Sequence, residues 1–174
     1  VARAGSRSSA LAAVAEALSR LAWFMAEAGK HVIARALLTS SQEAAAGALA
    51  GCVEIDDTST RESRLSGVVA DALISAGMGF AAREAVIAAI RDPDARADAL
   101  MHVARGSLWR GDDAAAREAA IAAGEGLIEK PLEESGYLKR ADILSEAGTV
   151  LADCGDLGTA RTYAHAALVV AESI

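Results

Sequence analysis

Four short glycine-centred signatures constrain what this chain can fold into. Glu27-Ala28-Gly29, Ser75-Ala76-Gly77, Arg110-Gly111-Asp112 and Cys154-Gly155-Asp156 are each followed by an Ala-Arg pair: Ala34-Arg35, Ala82-Arg83, Ala116-Arg117 and Ala160-Arg161. In all four the alanine stands five residues after the glycine. Each signature joins two Ala-rich segments of helical periodicity, and self-similarity at periods of tens of residues marks stacked supersecondary units. Composition agrees. The 174 residues include 44 alanines, and only 3 % of the chain is aromatic although 53 % is hydrophobic. Alanine is the best helix former and adds little bulk, so thin layers of closely paired helices suit this chain better than a thick core. The length fits one domain over residues 1–174.

The spacing of apolar residues predicts an all-α chain. Ser6 to Ser9 offer N-cap candidates before Leu11, Val14, Leu18, Leu21 and Met25, a spacing of three and four that makes one helical face. Gly29 ends that helix, since glycine accepts the left-handed conformation that helix ends often need. A second helix from Lys30 carries Ile33, Leu37 and Leu38 to about Ala50. Ile55 to Thr60 reads as a loop with a helix start at its end. Leu65, Val68, Val69, Ala72, Leu73 and Ala76 form the next stripe, and its partner runs from about Phe80 to Ile90. Pro93 fits the first turn of the following helix, which is lined by Leu100, Val103, Ala104 and Leu108. Asp112 or Asp113 caps a helix reaching about Ile128, and Pro131 breaks the chain again. Leu138 to Leu151 and Ala160 to Val170 complete eight predicted helices.

Aligned on their glycines, the signatures resemble the tetratricopeptide repeat. The glycines are 48, 34 and 44 residues apart, and the middle value equals that family's period. In the third repeat Leu100, Val103-Ala104, Gly111, Ala116, Ala120 and Ala123 fall on signature positions. The corresponding sets are Leu21-Ala22, Gly29, Ala34 and Leu38; Val69-Ala70, Leu73, Gly77, Ala82, Val86 and Ala89; and Ala147-Gly148, Leu151, Gly155, Ala160 and Ala164. The family's first-helix Trp is replaced by Leu18, Ser66, Leu100 and Leu144. The resemblance implies a right-handed superhelical stack, an α-solenoid of about four antiparallel helix pairs, with repeats near 8–52, 60–92, 94–129 and 133–173. It also implies that the first helix of each pair lines a concave groove.

Residues that could carry chemistry argue for other roles. Gly77-Met78-Gly79-Phe80-Ala81-Ala82 matches a dinucleotide fingerprint, but that motif needs a preceding strand, whereas Leu65 to Ala76 has helical spacing. His31, His102 and His165 are isolated and lack metal-ligand spacing. The acidic pairs Asp56-Asp57, Asp112-Asp113 and Glu133-Glu134 sit at predicted loops or helix starts, where they meet the positive helix terminus. Cys52 and Cys154 form no CxxC pair and read as buried apolar thiols in a reducing, cytoplasmic setting. No nucleophile elbow or P-loop occurs. The reading is a non-enzymatic chain, with no catalytic residue, cofactor or metal expected. Net charge is −7, and it is uneven: residues 1–50 carry five basic and three acidic groups, the remainder 12 and 21. That balance argues against nucleic acid, and the absence of a run of about 18 apolar residues argues against a membrane partner.

The expected function is that of a protein- or peptide-binding scaffold or adaptor. Under the resemblance the groove holds Arg20 and Trp23; Arg64, Val68 and Asp71; Met101, His102, Arg105 and Trp109; and Asp142, Ser145 and Glu146. Trp and Arg are over-represented among binding hot spots. Trp23 is open between groove and core, and Trp109 is expected to be exposed. A Lys/Asn clamp for a terminal carboxylate is lacking at these positions. Two other roles stay open: a ligand-sensing regulatory domain, and a homo-oligomer through terminal repeats, where Leu168, Val169, Val170 and Ile174 make the last helix apolar.

Overall fold

The computed structural model describes residues 2–55, 57–128 and 137–173. Expectations about Asp56, Pro131, Glu133, Glu134 and Ile174 therefore lie outside the described residues. Among the described residues there are nine α-helices and no strand: α1 (Ala2–Glu27), α2 (His31–Val53), α3 (Thr58–Leu65), α4 (Val68–Ser75), α5 (Gly79–Ala89), α6 (Pro93–Trp109), α7 (Asp113–Ile128), α8 (Tyr137–Asp153) and α9 (Leu157–Glu172). The chain divides into two compact units, Val1–Ala89 and Ile90–Ile174.

The four signatures make one turn four times. Gly29, Gly77, Gly111 and Gly155 have φ of 73°, 73°, 75° and 82°, the region that favours glycine. In each turn the glycine N–H donates three residues back, to Ala26, Ile74, Leu108 or Ala152, at 2.9 Å. The following N–H donates five residues back, to Met25, Leu73, Ser107 or Leu151, at 2.8–2.9 Å. This double bond is the Schellman closure, which satisfies carbonyls that a helix end leaves unpaired. The repeated alanine then donates its N–H to the carbonyl of Lys30, Met78, Asp112 or Asp156 at 3.0 Å, opening the second helix. All four alanines are buried, which explains why the position stays small. In the second unit the caps are also made by side chains: Asp112 accepts from Ala115 N–H at 3.1 Å and Asp156 from Thr159 N–H at 3.2 Å.

In the first unit α1 and α2 form an antiparallel hairpin, α4 packs against both, and α5 returns along α4. Buried hydroxyls join these helices. Ser8 donates to the Ala48 carbonyl at 2.8 Å, and Ser41 donates to Ala15 at 2.7 Å. Ser19 donates to the Ser75 carbonyl at 2.8 Å, and Gln42 donates to Ala76 at 3.2 Å, so α1 and α2 satisfy the carbonyls at the end of α4. In the second unit α8 packs against α6 and α7, and α9 lies on α8. There Leu144, Ala167 and Val170 form a cluster with Tyr137, Ala141 and Ala166.

Two expectations are corrected. Ser6–Ser9 do not cap the first helix: α1 starts at Ala2, and Ser8 is buried in the helix interface instead. The stripe from Leu65 to Ala76 is not one helix. The chain leaves helical geometry at Gly67 (φ −126°, ψ −109°), which separates α3 from α4. α3 is capped by Asp57, which accepts from Thr60 N–H at 2.7 Å; the Thr60 side chain first, and then this N–H, hold its carboxyl below the usual range.

Ser107 stands where the other turns have Met25, Leu73 and Leu151. Its hydroxyl is buried and has no hydrogen-bond partner. A buried unsatisfied hydroxyl costs about 1–3 kcal/mol. Ser107→Ala is expected to stabilise the chain by about 1 kcal/mol, read as a rise in the urea midpoint at unchanged slope.

Candidate binding face on the first helices

Counting back 13, nine, six and two residues from each turn glycine gives positions on one side of the preceding helix, because the steps are four, three and four. The sets are Glu16, Arg20, Trp23 and Glu27; Arg64, Val68, Asp71 and Ser75; Asp98, His102, Arg105 and Trp109; and Asp142, Glu146, Thr149 and Asp153.

In the first unit this face is mixed, with two apolar residues, Trp23 and Val68, among charged and polar ones. Trp23 is 57 % exposed and packs edge-on against Phe24, with centroids 5.1 Å apart at 70°. Val68 is 45 % exposed. Arg20 is exposed and pairs with Glu16 at 3.5 Å, and Asp71 is half-buried. Arg64 departs from expectation. It belongs to α3, and its guanidinium donates to the Ser9 hydroxyl of α1.

In the second unit the same face is ionic. Arg105 on α6 pairs with Glu146 on α8, and Lys139 on α8 pairs with Asp98 on α6. Asp98 holds the Lys139 ammonium above its ordinary range, with help from Asp94 and Asp92. This contribution is present below the ordinary lysine range and is lost as pH rises past the shifted value. Solvent screens both pairs, so each is worth little to stability. His102 is half-buried, Asp142 and Ser145 are exposed, and Trp109 at the end of the stripe is 86 % exposed. Met101 is corrected: it is 1 % exposed and shares a helical phase with the buried Ala97 and Ala104, so it is core and not groove.

By register, Arg105 corresponds to Trp23 and Glu146 to Val68. One pair of positions is thus cross-linked by charge in the second unit and apolar and solvent-facing in the first. The sequence reading missed Asp98 and Lys139. Their opposite charges at the same helical phase as Arg105 and Glu146 were the available signal.

Other candidates resolve plainly. Gly77-Met78-Gly79 follows α4, not a strand, and belongs to a helix turn. Cys52 is buried, with its Sγ 3.7 Å from the Arg61 carbonyl, while Cys154 is half-buried. Burial pushes both thiols up, and Asp113, Asp153 and Asp156 add to the effect at Cys154. Neither is an activated thiolate. Among the described residues no group of three or more His, Cys, Asp or Glu side chains could hold a metal ion. Among the described residues one helical segment, Ser6–Glu27, is long and apolar enough to cross a membrane by length and composition, with a mean hydropathy of 1.2. No protein-family model, curated protein or solved structure matches this chain.

Proposed function

We propose that this chain is a non-enzymatic protein- or peptide-binding module, a scaffold or adaptor, whose helix hairpins stack as a right-handed solenoid of tetratricopeptide type. The ligand lies on the first-helix face of a unit. The observation that carries this reading is that both tryptophans stand on the first-helix stripe and face solvent. A large exposed aromatic keeps its unfavourable apolar hydration until a partner covers it, and Trp is enriched at binding hot spots. Trp23 with Val68 offers an apolar seat. Trp109 offers a second ring, beside an ion-paired wall of Arg105 and Glu146 that gives polar register. The free thiols fit a reducing, cytoplasmic setting.

Peptides selected on the chain from a random display library test this. Trp23→Ala and Trp109→Ala are expected to weaken selected peptides by about 2 kcal/mol each, roughly thirtyfold, at unchanged helical circular dichroism. Selected peptides that bind both variants as tightly as the parent chain contradict the assignment.

A further inference from the structure

We propose that the solvent-facing side of α1 is a dimerisation seam that pairs antiparallel with α1 of a second copy of this chain. α1 carries two stripes of small and apolar residues. The inner one, Ser8, Ala12, Ala15, Ser19 and Ala22, is buried in the first unit, where α1 packs against α2 and α4. The outer one, Ala10, Val14, Ala17, Leu21 and Phe24, keeps the same alternation of four and three and is exposed at every position. That alternation is the seam geometry of paired helices, and a helix apolar on opposite sides is one covered on both. The neighbouring α2 also exposes Val32, Ile33 and Val53, but these lie at its two ends, and its middle exposes Thr39, Ser40 and Glu43; the continuous apolar stripe is that of α1.

Three features select a second copy as the occupant. The first is shape. The N-terminal half of the stripe is small and its C-terminal half is large, so an antiparallel two-fold sets Leu21 and Phe24 of each copy against Ala10 and Ala17 of the other. Such self-complementarity is what an isologous interface requires. The second is charge. Glu16 and Arg20 lie on one flank of the seam. An antiparallel two-fold turns that flank onto itself, so Arg20 meets the partner's Glu16 and the reverse. The third is area. The stripe exposes on the order of 400 Å² of apolar surface per copy, the size of a functional patch, and the pair's total of about 800 Å² falls below stable specific interfaces and within the range of weak, transient ones. The dimer is therefore weak and reversible.

Sedimentation velocity from low-micromolar to near-millimolar concentration tests the proposal. The wild-type chain is expected to move from 17.7 kDa toward twice that mass. Leu21→Lys with Phe24→Lys should weaken association at least about tenfold without loss of helical signal, since both side chains face water. Arg20→Glu should weaken it by repulsion, and adding Glu16→Arg should restore it. A mass that stays monomeric throughout overturns the proposal, as does a dimer indifferent to the lysine pair. So does a monomer that instead binds phosphatidylcholine or phosphatidylserine vesicles through Leu21 and Phe24. Trp23 and Trp109 lie outside the stripe, so failure here leaves the peptide-binding reading standing.

Discussion

Tyr163→Ala should cost the second unit about 3–5 kcal/mol, the range for truncating a buried aromatic. Tyr163 projects from α9 with 4 % of its surface exposed, and its ring lies over Gly124 of α7. A Cβ on Gly124 would collide with Cε2 and Cζ of that ring. The phenol donates to the Ile121 carbonyl at 2.9 Å. Gly124 is thus the socket and Tyr163 the plug. Gly124→Ala should itself cost about 1–3 kcal/mol by forcing the ring outward. Placed in the Tyr163→Ala background, the same change should become neutral or stabilising, because alanine is then only a better helix former by about 1 kcal/mol. Urea unfolding of the four-member cycle reads this reversal of sign; additive costs would show that the two residues do not share a site.

The same tyrosine sets an alkaline limit. Burial first, then the charges of Glu125 and Asp156, push its hydroxyl from 10.0 up to about 12. Between those values the folded form holds a proton that the unfolded form has lost. Stability should therefore fall as pH rises from 10 to about 12. Tyr163→Phe should make that slope shallower, leaving the part that comes from Lys139.

Leu73→Ala should cost the first unit about 2–5 kcal/mol. Leu73 has no exposed surface, and its carbonyl receives the Met78 N–H that closes the second turn. Truncating it hollows the core of α4 at the point where the chain reverses. Amides of α4 and α5 should lose hydrogen-exchange protection in proportion. Leu21→Ala, on the exposed stripe, should change stability by no more than about 0.5 kcal/mol. Equal losses at the two leucines would mean that burial does not rank these positions.

The turns were the most legible part of the fold because their requirement is local. A glycine at positive φ and a small residue five positions on can be read from single positions. The helix start capped by Asp112 was readable for the same reason. The break at Gly67 was not, because the apolar stripe runs through it in phase and a glycine inside a stripe is compatible with an unbroken helix. Ser6–Ser9 misled because serine serves equally as a cap and as a small buried hydroxyl. Only the presence of α2 against Ser8 decides which. In the site, Trp109 was foreseen as exposed, whereas Met101 was not foreseen as core. One residue of helical phase separates Met101 from His102, and the stripe's orientation depends on where α7 and α8 lie. The pairing of Arg105 with Glu146 joins residues 41 positions apart, a separation that periodicity within one helix does not address.

The most direct test of the proposed first-helix binding surface uses the two tryptophans as reporters. Labelled with 5-fluorotryptophan, the chain should give two fluorine resonances, both sensitive to solvent quenchers. Adding a selected peptide should shift at least one of them and shield it from quencher, most strongly if the peptide covers Trp109. Saturation with peptide that leaves both resonances unmoved and fully quenchable would contradict the account.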